Sequence, residues 1–538
     1  MSGKVKKITA GKYSCQNYYP KSRICYLYNR MFLFYNKIVI KYQGEKGMVK
    51  TKRFIIYLTT LGIVATSFVG CRNDNALKTK EEKGIATLSW YYPGDKQEDE
   101  EVVEAELNKH LEEKLDIHLD LKPIKSTDYT KKISLMHAGK EEFDLLFTSN
   151  WTNEYYSCVT RGIARPLNEL IDSNAPDLRN ILPEFLLDAP RINGEIYAVP
   201  NYQVLYKQWS FAIRKDLIDK YKFDVQSIPK EAGFETVKGV EPFLEIIKKN
   251  EPDMYPIRQN FMTEETFFEK IEGSSTSIRK GDKSKKVMAF IDAPEWREGI
   301  EVSKKWYKNG YIRDDYVNTY SDTSVSGYLK YAVDVMVAKP GMEQELLNRW
   351  GKEYIIVPIC KPYITASAGM SATTAISTTS KHPEKAIKLI ELLNKDKEIY
   401  NLLCYGIEGK HYEKTDGKHV RIDSEKKYFP NSAWIFGNQF NAYLLEGQSD
   451  ETWNLTHELN MTAEKSPIYG FNFNPDPVID KIVQIKAIQK EYDGLFTYSE
   501  EKMDEYVLKL KEAGIDEVVK ETQRQIDEWI ETEKGEEK

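Results

Sequence analysis

An alternation of short apolar runs and amphipathic segments opens the body of this chain, and it constrains the fold more than any other feature. Residues 85–90 (IATLSW) predict a strand, and residues 98–115 predict a helix because their apolar residues recur at helical spacing. Residues 118–124, 128–136 and 143–148 continue the pattern as strand, helix and strand. This order is typical of a parallel sheet with right-handed crossovers. A ligand of such a sheet binds at the carboxyl ends of the strands.

The rest of the body predicts a second αβ region and a helical C-terminus. Residues 192–195 indicate a hairpin, and residues 274–286 read as a solvated loop. Further strands are predicted at 209–213, 333–338 and 354–359, and helices at 382–394, 477–492, 500–513 and 516–530. The fold class is therefore α/β, with mostly parallel sheets flanked by helices.

One apolar run, residues 54–69, raises the question of a membrane segment. It follows Lys50, Lys52 and Arg53, and its 16 residues fall short of the roughly 20 that a spanning helix needs. Basic residues, a short apolar run and small residues at the end are typical of a secretory signal. The small residue before Cys71 resembles the lipobox of bacterial lipoproteins, in which the cysteine becomes the lipid-bearing N-terminus. The alternative is a buried signal-anchor.

This interpretation makes residues 48–70 a signal peptide and residues 71–84 a polar tether. Residues 1–47 then precede the signal, so we interpret them as a doubtful extension and Met48 as the better start. A genuine basic arm is the rival interpretation.

Charge separates the leader from the body. The chain carries a net charge of −6, but residues 1–70 hold 13 basic residues and one acidic residue, so residues 71–538 carry −18. An acidic body argues against nucleic acid as a partner. Cys158, Cys360 and Cys404 form no CxxC pair, and the seven His residues show no metal-ligand spacing, so neither a metal nor a cofactor is predicted.

The order of several motifs resembles the extracellular solute-binding lipoproteins of carbohydrate ABC importers. The motifs are the lipobox at Cys71, the opening strand with Trp90, the segment GKEEFD (139–144) before a strand that leads to Trp151, NGEIYAVPNY (193–202), SAGM (367–370) and YGIEGKHY (405–412). The tail, with KEAGID (511–516) and ETQRQID (521–527), resembles the domain of unknown function DUF3502, which we assign to residues 402–535. That domain is found in one Gram-positive branch of these proteins.

The resemblance implies a two-lobed, periplasmic-binding-protein-like (type II) fold that closes on its ligand. Lobe 1 would comprise residues 85–204 and 363–425, and lobe 2 residues 205–362 and 426–535. The chain would cross between lobes near residues 200–205, near 361–365, and past His411. The resemblance also implies a monomer without catalytic activity, anchored through Cys71 to the outer face of the cytoplasmic membrane, with the permease subunits of an ABC transporter as partner.

A carbohydrate-binding site needs aromatic faces for the C–H groups of the sugar and polar side chains for its hydroxyls. Candidate residues lie at strand ends or in segments without periodicity. They are the aromatic residues Trp90, Trp151, Tyr202, Tyr405, Trp434 and Phe471, and the polar residues Asn150, Asn201, Glu408 and Asn438. Each aromatic residue could instead be a core residue. Trp90 and Trp151 are favoured because both follow strands of the first sheet.

Two other functions stay open at this stage. A secreted glycan-active hydrolase would need two carboxylates across the scissile bond, and nothing in the sequence selects such a pair. A structural or adhesive lipoprotein would show repeats, and none appears. The ligand of a binding protein could also be a peptide or an acidic saccharide.

Overall fold

The computed structural model describes residues 84–258, 263–315, 325–423, 425 and 427–536. The predicted extension (1–47), the predicted signal peptide (48–70), Cys71 and all of the predicted tether except Gly84 lie outside these ranges. Within them, the helices are too short or too polar to cross a membrane.

The strands are numbered in chain order. They are β1 (Ala86–Pro93), β2 (Ile117–Ile124), β3 (Leu145–Thr148), β4 (Arg191–Ile192), β5 (Glu195–Ile196), β6 (Ala198–Pro200), β7 (Trp209–Arg214), β8 (Tyr255–Ile257), β9 (Phe268–Ile271), β10 (Thr276–Arg279), β11 (Val287–Met288), β12 (Tyr331–Val337), β13 (Tyr354–Pro358), β14 (Tyr363–Ile364), β15 (Thr373–Ile376), β16 (Tyr412–Lys414), β17 (His419–Ile422), β18 (Leu444–Leu445) and β19 (Glu464–Lys465).

The helices are numbered in the same way. They are α1 (Glu100–Leu115), α2 (Ser126–Ala138), α3 (Tyr155–Thr160), α4 (Asn168–Asn174), α5 (Leu178–Ile181), α6 (Glu184–Asp188), α7 (Lys215–Tyr221), α8 (Phe234–Asn250), α9 (Thr263–Phe267), α10 (Pro294–Lys308), α11 (Val325–Tyr328), α12 (Met342–Trp350), α13 (Pro383–Lys395), α14 (Lys397–Tyr405), α15 (Thr452–Thr462), α16 (Ile479–Glu491), α17 (Glu500–Glu512) and α18 (Ile515–Glu536).

Lobe 1 is built on a five-stranded sheet in the order β2-β1-β3-β15-β6. β1 pairs in parallel with β2 and β3, as the alternation at the start of the body predicts. β15 runs antiparallel to both β3 and β6. The sheet is therefore mixed, because β15 follows a segment that re-enters the lobe from the opposite direction. A single apolar cluster of lobe 1 joins this sheet to its flanking helices.

Lobe 2 is built on a four-stranded sheet in the order β13-β7-β12-β8. β7 runs antiparallel to its neighbours β12 and β13, and only β12 and β8 form a parallel pair. The expectation of mostly parallel sheets is thus wrong for lobe 2. The antiparallel direction again results from a crossing, because β7 carries the chain into the lobe against the direction of β12 and β13.

The C-terminal helices belong with lobe 2. α16, α17 and α18 form a second apolar cluster with the three-stranded sheet β11-β10-β9 and with Trp296 of α10. α10 also contributes Trp306 to the cluster around the four-stranded sheet. The predicted helices at 477–492, 500–513 and 516–530 are confirmed, but the predicted loop at 274–286 contains β10, whose residues are largely buried.

Three segments carry the chain between the lobes. The first lies between β6 and β7, the second is centred on β14, and the third is centred on β19. β14 and β19 pair in parallel, and Lys207 of the first segment forms a bridge to Tyr363 of the second. Because the segments are hydrogen-bonded to one another, they form one joint between the lobes.

The third crossing lies later in the chain than the sequence predicts. Residues 426–462 do not start lobe 2, because Ile435, Phe436, Ala442 and Tyr443 are buried in the apolar cluster of lobe 1. Among the described residues, the buried apolar side chains of this cluster come from 88–206 and from 364–463.

Candidate ligand-binding site

The carboxyl end of β3 leads into a tightly bonded turn that presents Trp151. Ser149 Oγ accepts hydrogen bonds from the backbone N–H groups of Trp151 (3.3 Å) and Thr152 (2.9 Å). Asn153 closes the turn with a positive φ of 45°, and its Nδ2 donates to the carbonyl of Phe147 at 2.9 Å. The turn is thereby fixed by its own polar side chains, as Ser and Asn favour.

The indole of Trp151 is an exposed and fixed aromatic surface. Its side chain is 54% exposed, although its Nε1 donates to the carbonyl of Ser371 at 2.9 Å. Its ring lies 5.9 Å from the rings of both Phe147 and Trp434, tilted by 55° to each. The ring of Trp434 in turn meets Phe147 edge-on at 5.7 Å. We call Trp151 and Trp434 the tryptophan platform.

Polar groups border this platform. Asn150 Nδ2 donates to Ser367 Oγ at 2.7 Å, and the Asn150 backbone N–H donates to the carbonyl of Met370 at 3.0 Å. These contacts join the turn after β3 to the segment before β15, so two neighbouring strands position the site together. An exposed aromatic face beside amide and hydroxyl groups is suited to a ligand with both C–H faces and hydroxyls.

Trp90 does not belong to this site. β1 continues through Tyr91 to Pro93, where the sequence predicts a turn, so Trp90 sits inside the strand rather than at its end. Its side chain is 1% exposed and meets Phe436 edge-on at 5.6 Å. The expectation that its ring faces a cleft is corrected: Trp90 is a core residue of lobe 1 in this structure.

Asn201 and Tyr202 lie at the start of the first crossing segment, and both are buried. Asn201 Nδ2 donates to the carbonyl of Ile435 at 2.6 Å, and its Oδ1 accepts from Thr374 Oγ1, so its amide supports the loop that carries Trp434. Tyr202 packs on Phe440 with ring centroids 4.5 Å apart, and its hydroxyl is bonded to His457 Nδ1 at 2.8 Å. Burial raises the pKa of the Tyr202 hydroxyl. These residues form a layer beneath the surface.

Tyr405 and Glu408 lie in the part of lobe 1 that β16, β17 and β18 build. Tyr405 is buried, and its hydroxyl donates to the carbonyl of Tyr443 at 2.9 Å. Glu408 forms an exposed ion pair with Lys414 at 2.8 Å. Tyr405 is thus a buried residue at a helix end, and Glu408 is part of a surface ion pair. In the described ranges neither residue contacts the tryptophan platform.

Asn438 and Phe471 also have structural roles. Asn438 caps the turn Gln439–Asn441 by accepting from the Phe440 N–H at 3.1 Å. Phe471 is buried in the cluster of C-terminal helices and meets Trp529 edge-on at 5.9 Å. Phe471 is therefore a core residue, whereas Asn438 shapes the loop between Trp434 and Phe440.

The joint between the lobes contains a buried carboxylate. Glu269 of β9 accepts hydrogen bonds from the hydroxyl of Tyr363 at 3.0 Å and from the backbone N–H of Ala366. Burial raises the pKa of Glu269, and the hydrogen bonds from Ala366, Ser466 and Tyr363 and the nearby ammonium of Lys280 oppose that rise. Glu269 thus ties β9 to the second and third crossing segments.

Sequence reasoning missed several residues around these sites. Phe147 supports the platform, and Ser367 and Ser371 accept hydrogen bonds from Asn150 and Trp151. Phe440 and His457 contact Tyr202, and Trp453 contacts Phe440. Trp453 and His457 are four residues apart on α15, a spacing that places both on one helix face and could have identified them as a pair. No group of three or more His, Cys, Asp or Glu side chains in the described ranges is arranged to hold a metal ion.

Two α/β lobes, three crossing segments and an aromatic surface at the strand ends define a protein that binds a solute between lobes. The family model for bacterial extracellular solute-binding proteins matches residues 106–404, and a model for the domain of unknown function DUF3502 matches residues 467–531. The chain belongs to the bacterial extracellular solute-binding proteins. Because this is a family of binding proteins, the hydrolase alternative is set aside.

Relatives and solved structures extend the comparison. The chain is 27% identical to a carbohydrate ABC transporter substrate-binding protein of Streptococcus pneumoniae over 502 residues, 90% of this chain and 100% of that protein. It is 28% identical to the N-glycan transport solute binding protein (NgtS) of Streptococcus pneumoniae, with a TM-score of 0.74 over 83% of this chain and 99% of that one. The same protein in complex with Man1GlcNAc aligns over the same shares with a TM-score of 0.66, and in complex with Man5GlcNAc with 0.64.

Proposed function

We propose that this chain captures an oligosaccharide between its two lobes and delivers it to the permease of an ABC transporter. The observation that carries the proposal is the tryptophan platform, with Trp151 exposed at the carboxyl end of β3. An indole presents a negative face to the C–H groups of a sugar ring. Asn150 lies beside the platform and is suited to hydrogen-bond a sugar hydroxyl, with Ser367 as its support.

The named relatives support the choice of a carbohydrate. The pneumococcal relative is a carbohydrate ABC transporter substrate-binding protein, and the pneumococcal N-glycan transport protein binds Man1GlcNAc and Man5GlcNAc. At 27% and 28% identity over nearly the whole of those proteins, mannose- and N-acetylglucosamine-containing oligosaccharides are the first ligands to test. A peptide or an acidic saccharide is the alternative ligand that the same titrations address.

Capture would proceed by closure of the lobes about the three crossing segments. Closure would then signal to the permease that the ligand is bound.

We further propose that Cys71 carries a lipid that holds a monomeric receptor on the outer face of the cytoplasmic membrane of a Gram-positive bacterium. The support is the sequence alone: the basic residues, the apolar run at 54–69 and the small residue before Cys71. More than one acyl chain would anchor the protein firmly, since each buried methylene contributes about 0.8 kcal/mol.

Metabolic labelling with an alkyne fatty acid tests the lipid anchor. We expect the wild-type chain to be labelled and to sediment with membranes, and Cys71→Ala to lose both properties. A Cys158→Ala variant is the matched control, because Cys158 is buried in the core of lobe 1. Labelling that survives in Cys71→Ala would refute the assignment.

Calorimetric titration with Man5GlcNAc tests the ligand assignment. We expect the wild-type chain to bind and Trp151→Ala to lose about 1–3 kcal/mol of binding free energy, by analogy with aromatic stacking on bases. Leu135→Ala is the matched control, because Leu135 is an apolar side chain of the same lobe with a similar exposure of 59%. Equal affinities of Trp151→Ala and wild type, with both proteins folded, would remove the platform from the binding site.

A further inference from the structure

A second group of aromatic side chains lies on lobe 1, around Phe440. The Phe440 ring packs on Tyr202 at 4.5 Å and meets Trp453 and His457 edge-on at 5.8 Å each. Tyr202 is buried, Phe440 and Trp453 are half-buried, and His457 is exposed. We call Phe440, Trp453 and His457 the α15 ring cluster, because two of its members lie on α15.

Hydrogen bonds fix the cluster and leave one polar atom for a ligand. Trp453 Nε1 donates to the carbonyl of Ala442 at 2.9 Å, and the Gln439 N–H donates to the carbonyl of Tyr202 at 2.8 Å. His457 Nδ1 is bonded to the Tyr202 hydroxyl, so the imidazole is held through one nitrogen. Within the described ranges its other nitrogen, Nε2, has no hydrogen-bond partner. A half-buried ring beside a free imidazole nitrogen repeats the pairing of aromatic and polar groups at the tryptophan platform.

The cluster and the platform are neighbouring but separate. Trp434 and Phe440 belong to the same loop, six residues apart, and contact different sets of rings. Six residues of extended chain span at most about 20 Å, so both groups lie within the reach of a chain of several sugar rings.

The cluster also borders the joint and lobe 2. Asn460 of α15 receives a bond from the Leu205 N–H at 2.9 Å and donates to the carbonyl of Gln203 at 2.7 Å, so α15 is tied to the first crossing segment. On lobe 2, a Cβ at Gly341 would lie 3.1 Å from Thr452, the residue before Trp453. The start of α15 thus lies against lobe 2, and a residue later in the helix is tied to the first crossing segment.

We propose that the α15 ring cluster is a second carbohydrate subsite, which takes sugar rings of an oligosaccharide whose other end stacks on the tryptophan platform. The inference rests on the proposed function and deepens it, because it selects ligands that are long enough to occupy both places. His457 Nε2 would hydrogen-bond a sugar hydroxyl, and Trp453 and Phe440 would contact the C–H groups of the ring.

A length series of ligands tests this inference by calorimetric titration of the full chain. The probes are Man1GlcNAc and Man5GlcNAc, and the variants are His457→Ala and Trp453→Phe. We expect His457→Ala to lose about 10-fold in affinity for Man5GlcNAc. Trp453→Phe keeps an aromatic face, so we expect a smaller but measurable loss. Each variant should lose less than about 2-fold for Man1GlcNAc. Leu455→Ala is the matched control, because Leu455 lies on the same helix, is 46% exposed and is outside the cluster.

The possible results separate this inference from the proposed function. Losses that are equal for both glycans, or no loss for either, would overturn the second subsite while Trp151→Ala still reports on the platform. If Trp453→Phe unfolds, the subsite stands when His457→Ala, shown to be folded by circular dichroism, has the length-dependent loss, and it falls when His457→Ala has none. The fold check is needed because His457 Nδ1 is bonded to the hydroxyl of the buried Tyr202. If the wild-type chain binds neither glycan, the proposed function and the second subsite fail together.

Discussion

Trp151 keeps more than half of its surface exposed although three interactions hold its ring. The hydrogen bond to Ser371 and the contacts with Phe147 and Trp434 fix its orientation before any ligand arrives. A ring that is already ordered loses little side-chain entropy on binding. This preorganisation is the residue-scale reason for placing the ligand on Trp151 rather than on another surface aromatic side chain.

A conservative substitution separates the ring from its hydrogen bond. Trp151→Phe keeps an aromatic face but removes the N–H that donates to Ser371, so we expect an affinity between those of wild type and Trp151→Ala. Titration of the three proteins with Man5GlcNAc gives the order. An affinity of Trp151→Phe below that of Trp151→Ala would mean that the aromatic face is not what binds.

The sequence distinguishes Trp151 from Trp90 only in part. Both follow apolar runs that predict strands, but the strand containing Trp90 continues for three more residues and buries the ring, whereas β3 ends at Thr148. The residues after each run decide this. Ser149 Oγ accepts from the N–H groups of Trp151 and Thr152, and Asn153 Nδ2 donates to the carbonyl of Phe147, which forms a turn after β3. Tyr91 and Tyr92 instead extend the sheet after Trp90. The end of β3 was thus predictable because turn-forming side chains follow it. The end of β1 was not, because the tyrosines after Trp90 continue the strand.

At the scale of elements, the joint between the lobes depends on Glu269. This carboxylate is buried on β9 and accepts from Tyr363 on the second crossing segment and from Ala366 just after it. The ammonium of Lys280 lies 5.1 Å from the centre of the Tyr363 ring, on the same side of the joint. A buried acceptor that serves two elements stabilises their relative position only while its hydrogen bonds persist.

The raised pKa of Glu269 gives a testable pH dependence. A carboxyl group with a higher pKa in the folded than in the unfolded state favours folding below its ordinary pKa, near 4.5, and this contribution is lost as the pH rises through the folded pKa. The free energy of unfolding of the wild type should therefore decline above pH 4.5 by the contribution of Glu269. We expect Glu269→Gln, which keeps a neutral acceptor, to lack that contribution to the decline. Urea unfolding of both proteins from pH 4.5 to pH 8 measures the difference.

A substitution on an exposed carboxylate provides the control for this experiment. Glu458→Gln changes the same chemical group at an exposed position of α15. We expect its stability to follow the wild type across the range. Parallel profiles of Glu269→Gln and wild type would show that the buried carboxyl makes no net contribution to the pH dependence.

The elements themselves were predictable, but the strand directions in both lobes were not. Helical spacing of apolar residues identified α1, α13 and the three C-terminal helices to within a few residues. β7 and β15 run against their neighbours because each continues a crossing segment, and nothing in a single strand's composition records from which lobe the chain arrives. Residues 426–462 lack long periodic segments, so their packing on lobe 1 followed only from the structure.

At the scale of the whole molecule, the proposed ligand surfaces are linked to the joint between the lobes. The tryptophan platform and the α15 ring cluster both lie on lobe 1, and Asn460 ties the cluster's helix directly to the first crossing segment. Under the proposed function, a ligand on lobe 1 would be captured when lobe 2 moves over it. Binding and closure are therefore expected to be the same event.

Small-angle X-ray scattering of the purified chain, with and without saturating Man5GlcNAc, tests this central claim most directly. The account predicts a smaller radius of gyration when the glycan is bound, and no change for Trp151→Ala at a concentration that saturates the wild type but lies below the weakened Kd. A scattering curve that is unchanged at a concentration that saturates binding would contradict capture by closure.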